Sequence, residues 1–219
     1  LGKEENKGLQ FFRKARERKI LRSDEMRIEA RVLQDASLRL EPMAARHRDD
    51  LRAACDADPD IWDRLYSFSM AGEHFDGAWA RLEADVAAGR NLAFAVVVAG
   101  ACVGMTCFQA PDPANRSVEI GWTYYRPEHR GGRVNPAAKR LLLAAAFDAG
   151  AIRVRLNVDA LNARSCAAVL KLGAVQEGVL RQDRVIWTGR VRDTVVFSIL
   201  KDEWPAVRAG LDRRLAAFG

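Results

Sequence analysis

A mixed α/β fold with a mostly antiparallel central sheet flanked by helices is predicted by three features of the sequence. Three alternating apolar segments follow one another through short turns between residues 91 and 125; a strand–helix–strand unit runs from residue 118 to 158; and two more β segments precede a terminal helix. With 219 residues, 49% of them hydrophobic, the chain can bury one sizeable core, so residues 26–219 are expected to form one domain.

Residues 1–25 stand apart. They hold eight basic and five acidic side chains, half of the net charge of +6, and could form a short basic amphipathic helix with Leu9, Phe12 and Ile20 near one face. They read either as an arm for nucleic acid or a membrane surface, or as an appendage, foreign to the native chain or upstream of a start at Met26. No nucleic-acid or membrane partner is expected for the body, which is only mildly basic.

From Met26 the pattern becomes that of a folded domain. Leu38 and Leu40 alternate with Arg39 and Glu41, giving a first strand over residues 37–40 that stops at Pro42. Helices are expected over 47–56, over 61–66 with Asp60 as cap, and over 75–88, ending near Gly89. Their aromatics, with Trp62, Tyr66, Phe68, Phe75 and Trp79 among them, are core residues or the lining of an acceptor pocket. Residues 92–109 form two apolar runs broken at Ala99–Gly100, a hairpin signal. On the following strand, period two puts Glu119, Gly121, Thr123 and Tyr125 on one face and Val118, Ile120, Trp122 and Tyr124 on the other.

Then comes a turn carrying Arg130, Gly131, Gly132 and Arg133, followed by a helix expected to start with Asn135 as N-cap and Pro136 in its first turn, and to be capped by Gly150. Unpaired N–H groups at such a helix start, with the positive end of its dipole, make this turn a candidate phosphate cradle. Ile152, Val154, Leu156 and Val158 alternate with polar residues in the next strand; Asn162 caps a short helix that Gly173 stops; and β segments near 179–187 and 194–200 flank a turn at Gly189. A last helix begins near Pro205.

Several chemistries lack their signatures. Cys55, Cys102, Cys107 and Cys166 contain no CxxC pair, and His47, His74 and His129 are scattered, so neither a metal site nor a disulfide framework is indicated. Gly131 and Gly132 are not followed by the Lys-Ser/Thr of a P-loop, adjacent glycines are not GxGxxG, and no GxSxG elbow occurs. No run approaches the roughly 18 apolar residues of a membrane span and no secretory signal is seen, so a cytoplasmic protein is expected.

Four ordered blocks, EIGW, RPEHRGGRVNPAAKRLLL, RVRLNVDALNARSCAAVLKLGAVQEGVLR and RDTVVFSILKDEWPAV, together resemble the RimJ/RimL-type branch of the GNAT N-acetyltransferases over residues 31–215. That resemblance implies transfer of an acetyl group from acetyl-CoA, without a metal, to the primary amine of a small molecule or a protein N-terminus. It also implies two central strands that splay apart for the pantetheine, and often a homodimer. By the same resemblance the turn of Arg130, Gly131, Gly132, Arg133, Val134 and Asn135 receives the CoA pyrophosphate, with Arg130 at the family's Gln/Arg position. Arg133 stands where many members have a small residue, and either crowds the backbone approach or adds a cation. Lys139 and Arg140 either assist the phosphates or are solvated.

Glu119 matches a Glu that serves as base, taking the amine's proton. Asn162 matches a contact to the pantetheine arm, and Ser165 a hydroxyl that protonates the departing thiolate; the bland reading of both is helix capping. A backbone N–H between Thr123 and Tyr125 is the expected oxyanion donor, which puts Tyr125 at the cofactor. Trp62, Tyr66, Trp122 and Trp187 are the expected acceptor-side residues. Cys166 points elsewhere on its helix, so direct attack in a ternary complex is expected. The alternative is a non-catalytic CoA-binding or regulatory module whose basic arm binds nucleic acid or membrane.

Overall fold

The computed structural model describes residues 26–218, so the basic segment 1–25 lies outside the described residues. Eight strands form one sheet in the order β1-β2-β3-β4-β5-β6-β8-β7. They are β1 (Leu33–Gln34), β2 (Arg39–Pro42), β3 (Asn91–Val98), β4 (Ala101–Asp112), β5 (Ser117–Tyr125), β6 (Arg153–Asp159), β7 (Val175–Val185) and β8 (Val191–Leu200). All neighbours pair antiparallel except β5 and β6, which are parallel. The α-helices are α1 (Arg48–Asp56), α2 (Asp60–Leu65), α3 (Phe75–Ala87), α4 (Val134–Asp148), α5 (Ala163–Leu170) and α6 (Trp204–Ala216).

Local chemistry explains most of the boundaries. Ala99 and Gly100 both take positive φ, 49° and 85°, the two-residue turn that matches the twist of the β3–β4 hairpin. The end of α4 is a Schellman closure: Gly150 N–H bonds Phe147 O at 3.1 Å and Ala151 N–H bonds Ala146 O at 3.0 Å, with Gly150 at φ 94°. The α4 crossover joins the parallel pair β5 and β6.

Four expectations need correction. The strand expected over residues 37–40 is β2 and sits two residues later, at Arg39–Pro42, after the short β1, because Asp35 Oδ1 accepts the N–H groups of Ser37 and Leu38 and holds those residues in a turn. Helix α2 is capped at Pro59, so Asp60 is already inside its first turn. Helix α4 starts at Val134 with Arg133 as its N-cap, so Asn135 and Pro136 are its second and third residues. Ile152 precedes β6 and is exposed.

The largest departure is in β5. Gly121 pairs with Cys107 and Tyr124 with Met105, so Trp122 and Thr123 together face the single residue Thr106. Trp122 is the bulge, at φ 47°. Before it, Val118 and Ile120 pack into the core under α4 and α6; after it, Tyr125 joins that core while Tyr124 packs with α1, α2 and α3 on the other face. Strict period two, which groups Tyr124 with Ile120 and Tyr125 with Glu119, fails at this one residue.

Those two cores have different reach. The core under α4 includes residues of β6 and β8, namely Val154, Leu156, Val158, Val195, Phe197 and Ile199. The core under α1–α3 is built on β3, β4 and β5. The buried apolar cluster under α1–α3 includes no residue of β6, β8 or β7.

Candidate active site

Parallel pairing of β5 with β6 covers only Ser117–Arg153, Val118–Val154 and Glu119–Arg155. Beyond Glu119 the strands separate, because the Trp122 bulge turns β5 away, and a cleft of about 960 Å³ opens between them. Of the expected site residues, Glu119, Tyr66, Trp122, Tyr125, Arg130, Gly131, Gly132, Asn135, Lys139, Asn162 and Ser165 all line it.

Glu119 sits where the strands part. Its Oε2 accepts a 2.7 Å hydrogen bond from Asn157 Nδ2 on β6. Burial pushes its carboxyl above the ordinary carboxylate value, against the opposing pull of Arg155, Arg184, Arg192 and the Asn157 hydrogen bond. On the other wall, Asn162 Oδ1 caps α5 by accepting Ser165 N–H at 3.0 Å, so Ser165 is held at the helix start facing the cleft.

The Arg130–Asn135 turn divides by role. Gly131 has φ 78° and, like Gly132, open space where a Cβ would stand; neither amide makes a backbone hydrogen bond among the described residues. An extended anion can reach these amides and the start of α4, so the turn suits a pyrophosphate. Arg130 is otherwise engaged: Nε donates to Tyr125 O at 2.6 Å, Nη1 pairs with Asp58, and the guanidinium lies 5.1 Å from the Tyr124 ring centroid. It anchors the turn to the α1–α2 loop. Val134 is buried in the core, and neither it nor Arg133 lines the cleft, leaving only backbone to meet a ligand there. Asn135 Oδ1 accepts from the Tyr125 hydroxyl at 3.3 Å, and burial keeps that phenol protonated well above its usual value.

Of the two roles the sequence leaves open for Lys139, phosphate contact and solvation, burial excludes solvation. It is 5% exposed, and Nζ donates to Thr123 Oγ1 at 2.6 Å, beside the bulge; burial lowers its pKa to about 7. Arg140, by contrast, pairs with Asp212 of α6.

The aromatic set splits three ways. Tyr66 reaches across to β5, its hydroxyl donating to Thr123 O at 2.7 Å, and Trp122 lines the same cleft. Trp187, in the β7–β8 loop, lines an adjoining hollow of about 400 Å³ with Trp122, His74 and Phe68. Trp62 is a core residue, 1% exposed, stacked 4.7 Å from Tyr124 with Nε1 donating to Cys55 O at 3.2 Å, and lines neither space. An indole at helical spacing buries more area inward than it would toward a ligand.

Cleft residues missed in the sequence are Asn157, Arg184 and Arg192, and for Thr123 only the backbone was anticipated, not its side chain. Asn157 carries a usable signal: in RVRLNVDA it alternates with Leu156 and Val158, which places it on the polar face beside Glu119. The partnership of Thr123 with Lys139 joins two elements and has no local signature. Among the described residues no group of His, Cys, Asp and Glu is arranged to hold a metal ion, and no helix is long and apolar enough to cross a membrane.

Comparison with known proteins agrees with this geometry. The model of the acetyltransferase (GNAT) domain matches residues 37–175. A protein of T. thermophilus described as an acetyltransferase is 34% identical, with a TM-score of 0.78 over 87% of this chain and 100% of its own. A GCN5-related N-acetyltransferase from Brucella melitensis is 28% identical, with a TM-score of 0.78 over 85% of this chain and 86% of its own. RimJ of Mycobacterium smegmatis, solved in complex with CoA-disulfide, shares the fold at 24% identity and a TM-score of 0.70, over 82% of this chain and 88% of its own. No curated protein matches significantly. A family model covering more than half of the chain, and a relative above 30% identity matched over its whole length, show that the chain belongs to the GNAT family of acetyltransferases.

Proposed function

We propose that this acetyltransferase uses acetyl-CoA to acetylate a primary amine by direct attack in a ternary complex, and that it belongs to the RimJ/RimL-type branch of its family. The observation that carries the reading is the single cleft in which Glu119 faces Asn157 on one side and Ser165, the Gly131–Gly132 turn and the start of α4 lie on the others. Acetyl-CoA supplies a thioester, and this chain's residues do the rest.

The Gly131 and Gly132 amides and the α4 N-terminus hold the pyrophosphate, and Asn162 holds the pantetheine arm while capping α5. Glu119, its affinity for protons raised by burial, accepts a proton from the acceptor amine as the nitrogen forms its bond to the acetyl carbon. Backbone N–H groups around the Trp122 bulge, where β5 leaves its regular ladder with β4, supply the oxyanion contact. Ser165 gives its hydroxyl proton to the sulfur as the carbon–sulfur bond breaks. Tyr66 and Trp122 border the acceptor.

Release of free thiol from acetyl-CoA, measured with a panel of small amines and N-terminal peptides, tests this function. Acetyl-dependent thiol release with at least one amine supports it. If acetyl-CoA neither raises the melting temperature nor is consumed with any acceptor, the reading is wrong.

A further inference from the structure

We infer that the acceptor is a small primary amine carrying a carboxylate or phosphate close to its nitrogen. The inference rests on the acetyl-transfer reading and comes from the polar face of β6, β8 and β7.

Side chains alternating with the α4-side core point to this face. On β6 they are Arg155, Asn157 and Asp159, with Thr194 opposite Asp159 on β8 and Arg192 next to it in the alternation. Most carboxylates here are already matched. Asp159 takes Arg190 Nη2 at 2.5 Å, Asp183 takes Arg184 Nε at 2.7 Å, and Glu177 takes Arg153 Nη1 at 2.6 Å.

Arg155 and Arg192 are the least firmly matched. Arg155 Nε is buried without a hydrogen-bond partner, and Arg192, 8% exposed, gives Nε to Thr194 Oγ1 and comes no closer than 3.8 Å to Asp159, which Arg190 already holds. Both act electrostatically on Glu119, and Arg192 on Asp159 and Asp183 as well. Once Glu119 accepts the amine's proton, the guanidiniums of Arg155, Arg184, Arg190 and Arg192 share the two carboxylates of Asp159 and Asp183, an excess of positive charge in a partly buried site that is costly unless the substrate brings an anion.

Asn157 completes the pattern. Its Nδ2 is given to Glu119, while its Oδ1 is buried with no partner. That free acceptor beside the base suits a second N–H of the incoming amine, which would hold the nitrogen at Glu119 and direct its anionic substituent toward Arg192 and Arg184, both on the cleft wall. These arginines lie on the face opposite α4, whereas the Gly131–Gly132 turn leads into α4, so they are not spent on the pyrophosphate.

The test compares matched acceptors with the full chain and acetyl-CoA, following thiol release: L-leucine against L-leucinamide and 3-methylbutylamine for a carboxylate, and O-phosphoethanolamine against ethanolamine for a phosphate. The expected result is a kcat/KM at least tenfold higher for one or both anionic amines than for their neutral partners. Arg184→Gln, at an exposed position, should cut that preference several-fold, and Arg192→Gln should abolish it; the readout is the anionic-to-neutral ratio, which a general loss of folded enzyme does not move. Equal or better turnover of the neutral amines, or of an uncharged Ala-Ala-amide peptide, overturns the inference and leaves acetyl transfer standing. Absence of thiol release with every amine overturns the acetyl-transfer reading and this inference with it.

Discussion

Lys139 donates from Nζ to Oγ1 of Thr123 at 2.6 Å, and Thr106 Oγ1 lies 2.9 Å from the same hydroxyl, so a buried lysine is joined to two threonines and, among the described residues, to no carboxylate. Burial holds its pKa near 7, below the ordinary 10.5. The unfolded chain therefore binds more protons than the folded one between those values, and stability should rise with pH across that window. Lys139→Met should be more stable than the parent at pH 6 by a few kcal/mol, since each tenfold change in proton affinity is worth about 1.4 kcal/mol, with the advantage shrinking toward pH 10. Urea midpoints over that range check it; a pH-independent difference would refute the desolvation account. Turnover should fall in the same variant, because the lysine braces the strand at the bulge.

Glu119→Gln should lower kcat by roughly 10²–10⁴-fold, the usual worth of a general base, while the fold survives. In the parent enzyme, activity should climb with pH along a limb above the ordinary carboxylate value, because burial raises the Glu119 pKa. Asn157 stabilises the charged form through its 2.7 Å hydrogen bond, so Asn157→Ala should move that limb to higher pH. A limb that stays put on loss of Asn157 would remove Glu119 from the role of base.

Ser165 and Asn162 should separate cleanly. Ser165→Ala leaves the cap intact, since the contact uses its N–H, and should reduce turnover much more than acetyl-CoA affinity. Asn162→Ala should cost about 1 kcal/mol of stability and weaken acetyl-CoA binding as well. Unchanged turnover in Ser165→Ala, by single-turnover kinetics, would assign the thiolate's proton to another donor such as the Tyr125 hydroxyl.

Gly104 tests the packing of β4 against β5. A Cβ there would stand 2.1 Å from the backbone oxygen of Tyr124, which cannot swing away as a side chain could. Gly104→Ala should destabilise the fold by about 1–3 kcal/mol and disturb the strand that carries the bulge. At Gly121 the nearest obstacle is the end of the Gln109 side chain, so Gly121→Ala should be milder by chemical denaturation.

Features governed by neighbours in sequence were legible. The Ala99–Gly100 turn, the Asn162 cap and the Gly150 closure each depend on a few adjacent residues, and the structure bears them out. The open Gly131–Gly132 turn was readable for the same reason, as was the Glu119 strand position. Features that need a third element were not. Nothing near Arg130 in the chain announces Asp58, seventy-two residues away, and nothing near Lys139 announces Thr123. Trp62 shows the limit from another side: its spacing shows a helical face, but whether that face meets core or cleft depends on Tyr124, across the sheet.

The bulge at Trp122 also sets how β5 can vary. One extra residue changes the parity of the strand, so that Tyr124 sends its hydroxyl to Ala54 O at 2.7 Å on one side while Tyr125 sends its own to Asn135 on the other. Removing residue 122 would exchange the two rings, pulling each out of one helical layer and driving it into the opposite one. Replacing its side chain would keep the count. The length of this strand is consequently constrained more tightly than its composition at residue 122.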